Sequence, residues 1–174
     1  MRLRSEEGFG LIELLMAMVM LNIGILAIVA AFNSGAVTLN RASRISTASA
    51  LADQQMELYR AIPYASIALD ASTIPNTSPY TTDTSYSASQ LTTTCTTPLP
   101  NECNASRSIS GGSSPDRKRY RVDTYIILST PTTTPATPTN GRPVKIVTVV
   151  VRDGAALSAR PFVRVASTFD QSTG

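Results

Sequence analysis

The chain has 174 residues and a net charge of +3; 43% of its residues are hydrophobic, 16% charged and 6% aromatic. That length holds one modest domain with an appendage rather than two full cores. With no His, the sequence excludes Ser-His-Asp and Cys-His catalysis, histidine-ligated metal and imidazole acid/base chemistry, and its scattered basic residues leave no nucleic-acid footprint.

The N-terminal segment carries most of the information. Arg2 and Arg4 lead into Gly8-Phe9-Gly10-Leu11-Ile12-Glu13, and from Leu14 to Asn40 no residue is charged. Between Leu14 and Phe32 only Asn22 and Gly24 interrupt the apolar run, and about 20 such residues span a bilayer core as a helix. A cleaved secretory signal would have a shorter apolar region followed at once by a small-x-small site, whereas the nearest Ala-x-Ala is Ala48-Ser49-Ala50. A lipoprotein signal would need a Cys soon after the apolar run, and the first is Cys95. A plain signal anchor accounts for the hydrophobicity and for Arg2 and Arg4, but not for Glu13. A carboxylate in lipid costs roughly 2.5–3.5 kcal/mol, so its presence asks for a function. A helix start favours negative charge, which is the plain structural reading of Glu13. If the chain were cut between Gly8 and Phe9, the new ammonium would sit about one helical turn from that carboxylate.

The stretch Gly8-Phe9-Gly10-Leu11-Ile12-Glu13 resembles the cleavage and methylation signature of type IV prepilins, Gly followed by Phe-Thr-Leu-Ile-Glu, with Gly10 where Thr is usual. The resemblance implies that a prepilin peptidase cuts after Gly8 and methylates the amine of Phe9. It implies that the mature protein waits in the inner membrane with its C-terminal domain outside the cytoplasm. From there the inner-membrane assembly platform would draw it into a filament, or its tip, with other major and minor pilins, Glu13 neutralising the Phe9 amine of a neighbouring subunit. Leu21-Asn22-Ile23-Gly24-Ile25-Leu26 is similar to the Leu-x-Ile-Gly-Leu-Leu of minor pilins of the PilV type, and Ala30 stands where many major pilins carry Pro. Gly24 reads equally as a packing glycine of a membrane helix.

Helix-compatible composition continues to Tyr59. Ile45, Ala48, Ala52, Met56, Tyr59 and Ile62 recur at steps of three or four and predict one apolar stripe, with Arg44, Asp53, Gln54 and Glu57 off it. Pro63 ends the pattern. Ala65 to Pro115 is rich in Ser, Thr and Pro, with Ile67, Leu69, Ile74, Leu91 and Leu99 as sparse apolar residues, and reads as a variable loop region with no core of its own. Cys95 and Cys103 lie in it; outside the inner membrane a disulfide is favoured over two free thiols, and a metal site lacks further ligands. Closing so short a loop stabilises by roughly 2–3 kcal/mol.

Three C-terminal runs predict strands: Arg119–Ser129, Pro143–Arg152 and Phe162–Phe169, each rich in β-branched or aromatic residues, with a turn at Asp153-Gly154. The Thr/Pro tract from Thr130 to Arg142 cannot be a strand and connects the first two; O-glycosylation there has only compositional support.

The expected architecture is α+β and pilin-like, a long N-terminal transmembrane helix packed on a small antiparallel sheet. Its parts are a leader (1–8), a transmembrane half-helix (9–32), an amphipathic half-helix (33–62), a loop region with a disulfide (63–118) and the sheet (119–174). The expected function is that of a minor pilin in pilus assembly or priming, with no cofactor and no metal. A pseudopilin of a type II secretion or DNA-uptake system is the alternative within the class, and a signal-anchored adhesin-like domain the alternative outside it. An enzyme would have to use a carboxylate pair drawn from Glu102, Asp116, Asp123 and Asp153, whose spacing recommends none over a solvated surface.

Overall fold

The structure, a computed structural model, describes residues 10–95, 102–130, 141–158 and 160–171. Two compact units divide the chain, Met1–Ala42 and Ser43–Gly174, and helix α1 (Leu11–Arg60) contributes to both. The expected helix start at Phe9 lies outside the described residues.

In the first unit α1 has no proline, and good helix formers (Leu, Met, Ala) fill most of it. Its polar side chains turn inward on the helix: Asn22 Nδ2 donates to the Met18 carbonyl and Thr38 Oγ1 to that of Ser34, each at 2.9 Å. Bonding back to the preceding turn satisfies these groups without water.

In the second unit α1 buries Thr47, Ala48, Leu51, Ala52, Gln55, Met56 and Tyr59. This is a stripe at steps of three and four, but rotated from the expected one. Ile45 is exposed, Leu51 and the polar Thr47 and Gln55 are buried, and Arg44 lies half-buried against the domain rather than off it. Gln55 and Tyr59 belong to the face because polar atoms find partners there: Tyr59 Oη donates to the Glu102 carbonyl. The helix stops at Arg60, two residues short of Ile62, ahead of Pro63.

The sheet is antiparallel in the order β1 (Ser106–Ile109), β2 (Tyr120–Ser129), β3 (Val144–Asp153) and β4 (Val163–Asp170). β2, β3 and β4 coincide with the three expected runs to within a residue or so. Val122 faces Val151, which faces Val163; Thr124 faces Val149, which faces Val165. Tyr120 Oη reaches the Arg44 carbonyl and Asp153 holds the Arg44 guanidinium, so the β2 and β3 residues alternating with this pair, among them Val122, Ile126, Val147 and Val149, form the floor on which α1 packs.

The stretch expected to be a plain loop is built into the fold. Besides β1 it contains short 3₁₀ turns at Tyr64–Ser66 and Ala71–Thr73, and Ile67, Leu69, Tyr80 and Ala105 are fully buried in the common core. Tyr80 stacks on Tyr125 at 4.4 Å on the outer sheet face and donates from Oη to the Thr124 carbonyl at 2.7 Å. Gln90–Thr92 extends the β1 edge of β2, with the Thr92 N–H on the Ile126 carbonyl at 2.9 Å and the Leu128 N–H on that of Gln90 at 3.0 Å. Tyr120 to Ile126 are in consequence buried on both faces. In the turn before β2 a Cβ on Gly111 would stand 2.6 Å from the Arg117 carbonyl oxygen, so this position is closed to any side chain.

Candidate functional site

Glu13 stands in the first turn of α1, exposed, its N–H bonded to the Gly10 carbonyl at 2.9 Å. It is the only acidic residue between Leu11 and Ala52. Gly8 and Phe9, the expected cleavage and methylation positions, lie outside the described residues, as does all of the expected leader 1–8. From Glu13 onward the helix presents one continuous apolar surface: Leu14, Met18, Leu21, Ile25, Ile28, Phe32 and Leu39 are each at least half exposed. The helix is long and apolar enough to cross a membrane, and none of its most hydrophobic stretch is buried among the described residues. A Cβ on Gly24 or Gly35 would meet nothing among the described residues, so no packing among them requires either glycine.

Cys95 and Cys103 are joined by a disulfide with Cα atoms 6.1 Å apart. Leu69 and Asp70 hold both of its ends: the Asp70 N–H bonds the Cys103 carbonyl at 2.8 Å and the Cys95 N–H the Leu69 carbonyl at 3.4 Å. The bond therefore clips the variable region to a segment already fixed in the core. Leu99, and the Thr/Pro tract except its ends, lie outside the described residues.

Three of the four carboxylates that an enzyme would need, Asp116, Asp123 and Asp153, hold structural partners. Asp153 receives Arg44 at 2.9 Å, Asp123 receives Arg121 and Ser106, each at 2.7 Å, and Asp116 receives the Tyr120 hydroxyl and the Lys118 N–H. Glu102 takes part through its main-chain carbonyl. Burial opposes ionisation of Asp116, but the Tyr120 hydroxyl and the Lys118 N–H hold its carboxyl below the usual range.

Sequence reasoning missed a second cluster, on the outer sheet face. Asp83, in the Ser/Thr-rich stretch, takes Arg164 on both oxygens at 2.8 and 2.9 Å and Arg152 on Oδ2. Arg152 in turn lies 3.4 Å from Asp123 through Nε. The available signal was partial: Arg121 and Arg164 each stand between two apolar strand residues, Tyr120 and Val122 and Val163 and Val165, while Arg152 ends an unbroken run of valines.

Compared with family models, curated proteins and solved structures, the chain matches none.

Proposed function

We propose that this chain is a minor type IV pilin, a structural subunit matured by prepilin peptidase and assembled with other pilins through its N-terminal helix. The observation that carries this reading is the junction of the Gly8–Glu13 motif with a helix whose apolar surface is uncovered from Leu11 onward. An apolar surface of this extent is stable only in lipid or against like surfaces. The same surface serves both states: lipid covers it before assembly, and neighbouring helices cover it in the filament.

Glu13 gives the transfer its direction. In the membrane its charge is costly. In the filament it meets the Phe9 ammonium of the next subunit, and the pair replaces two unfavourable isolated charges. No catalytic group takes part, and the second unit serves as the displayed domain.

The test combines maturation with assembly. Gly8→Val is expected to leave the full-length chain in the membrane, because the bulkier residue blocks the scissile bond. Glu13→Leu and Glu13→Gln are expected to be inserted and cleaved yet missing from sheared filaments. Normal maturation of the Gly8 variant, or wild-type levels of both Glu13 variants in filaments, refutes the reading.

A further inference from the structure

At one end of the outer sheet face, the segment from Ser78 to Thr84, the end of β3 and the chain leading into β4 border an open, solvent-facing cavity of about 330 Å³. Three guanidiniums, those of Arg152, Arg160 and Arg164, face a single carboxylate, Asp83, around it. That carboxylate is fully engaged. Its side chain is 2% exposed, clasped by Arg164 on both oxygens and by Arg152 from beneath. Asp123, deeper still, is paired with Arg121. With that inner pair neutral, the lining carries a surplus of two positive charges.

Arg160 is exposed and has no polar partner among the described residues. A guanidinium fork of this kind suits a planar anion. The Arg164 side chain, 36% exposed, supplies the second charge at the mouth. Between them the wall is hydroxylated, by Ser78, Thr82 and Ser158. The volume lies at the small end of the range for organic ligands and exceeds what a bare oxyanion fills.

We propose that this cavity binds an acidic monosaccharide, its carboxylate taken by Arg160 beside Arg164 and its hydroxyls by Ser78, Thr82 and Ser158. The guanidiniums select the charge, and the hydroxyl rim selects a polyhydroxylated body over an apolar carboxylic acid. Arg152 is a positioning residue: it fixes Asp83, which fixes Arg164. The site lies wholly in the second unit, so the proposal stands independently of the filament reading.

The experiment titrates the full-length chain, in a zwitterionic detergent without sugar head groups, with glucuronic acid, N-acetylneuraminic acid, glucose and sodium sulfate, by calorimetry and ligand-observed saturation-transfer NMR. At least one of the two acidic sugars is expected to bind about tenfold tighter than glucose, the factor a charge-assisted pair supplies, and tighter than sulfate. Arg160→Ala is expected to weaken that binding about tenfold with an unchanged thermal midpoint, since the native side chain holds no polar partner among the described residues. Absence of binding by both acidic sugars, equal binding of glucose, sulfate binding as tight as the sugar, or an Arg160→Ala variant of undiminished affinity each overturns the proposal.

Discussion

The Lys145 ammonium lies 4.6 Å from the centroid of the Tyr64 ring and donates to the carbonyls of Tyr64 and Ile67 at 2.8 and 2.7 Å. A lysine on the helix-facing side of β3 thus holds the chain as it leaves α1, at the place where Pro63 has ended helical hydrogen bonding. Desolvation lowers the Lys145 pKa, and the two carbonyls and the ring face replace the lost water. Lys145→Met keeps the apolar stem but leaves two carbonyls short of a donor. A loss of about 1–3 kcal/mol is expected in urea unfolding; unchanged stability would mean that the ammonium's own desolvation cancels its bonds.

Tyr80 tests whether the Ser/Thr-rich stretch belongs to the core. It is fully buried, stacked on Tyr125 and edge-on to Tyr86 at 5.7 Å. Tyr80→Ala is expected to cost about 3–5 kcal/mol, the range for removing a buried aromatic ring. Tyr80→Phe removes only the hydroxyl that serves the Thr124 carbonyl and should cost about 1–3 kcal/mol. A small effect of both, measured by thermal or denaturant melting, would return this stretch to the status of a loop.

The strands and the helix were readable because each follows one dominant rule. β3 is a β-branched run, β4 alternates, and α1 has no breaker before Pro63. What escaped notice depends on distant partners. β1, Ser106-Arg-Ser-Ile, has no strand-like composition; it is a strand because Asp123 accepts from Ser106 and β2 offers a free edge. Tyr80 and Asp83 are one aromatic and one charge in a polar tract, and only the residues across the sheet, Tyr125, Arg152 and Arg164, make them core. Ile45 and Arg44 exchanged roles for a similar reason: Asp153 and the Phe162 ring, 5.4 Å from the Arg44 guanidinium, draw the charged residue inward.

Acid should expose the Asp83 cluster. Burial acts to raise the Asp83 pKa, but the Arg164 hydrogen bonds, the Ser85 N–H and the two guanidinium charges outweigh it and hold the carboxyl below its ordinary value. A carboxyl depressed on folding gives stability that is present above the unfolded value, about 4, and is lost as pH falls below it. The urea midpoint should therefore drop below about pH 4. Asp83→Asn should flatten that dependence and cost about 3–5 kcal/mol at neutral pH, because buried Arg152 keeps only Asp123, already paired with Arg121, as counter-charge.

Alkali should act through the tyrosines. Tyr59, Tyr80, Tyr120 and Tyr125 are fully buried among the six tyrosines of the chain. Burial pushes Tyr59 up to about 12 and raises the other three as well. A phenol raised on folding gives stability that is complete below its unfolded value, about 10, and is lost as pH rises above it. Lys145, shifted downward, works the other way, but it is one group against four. Phenolate absorbance is expected to rise in a late cooperative step that coincides with loss of sheet circular dichroism; gradual ionisation with the fold intact would contradict the burial of these rings.

β2 is hydrogen-bonded along one edge by β1 and then Gln90–Thr92, along the other by β3, and from Tyr120 to Ile126 it is covered above and below. From Tyr120 to Ile126 its amide protons have no local route to solvent, since any opening that frees them must dismantle a neighbour first. β4, alternately half-exposed and last in the strand order, can fray by itself. Deuterium uptake should therefore be graded within one sheet, β4 exchanging by local opening and β2 only when the whole second unit unfolds. The rate at the centre of β2 then reports the global stability of that unit.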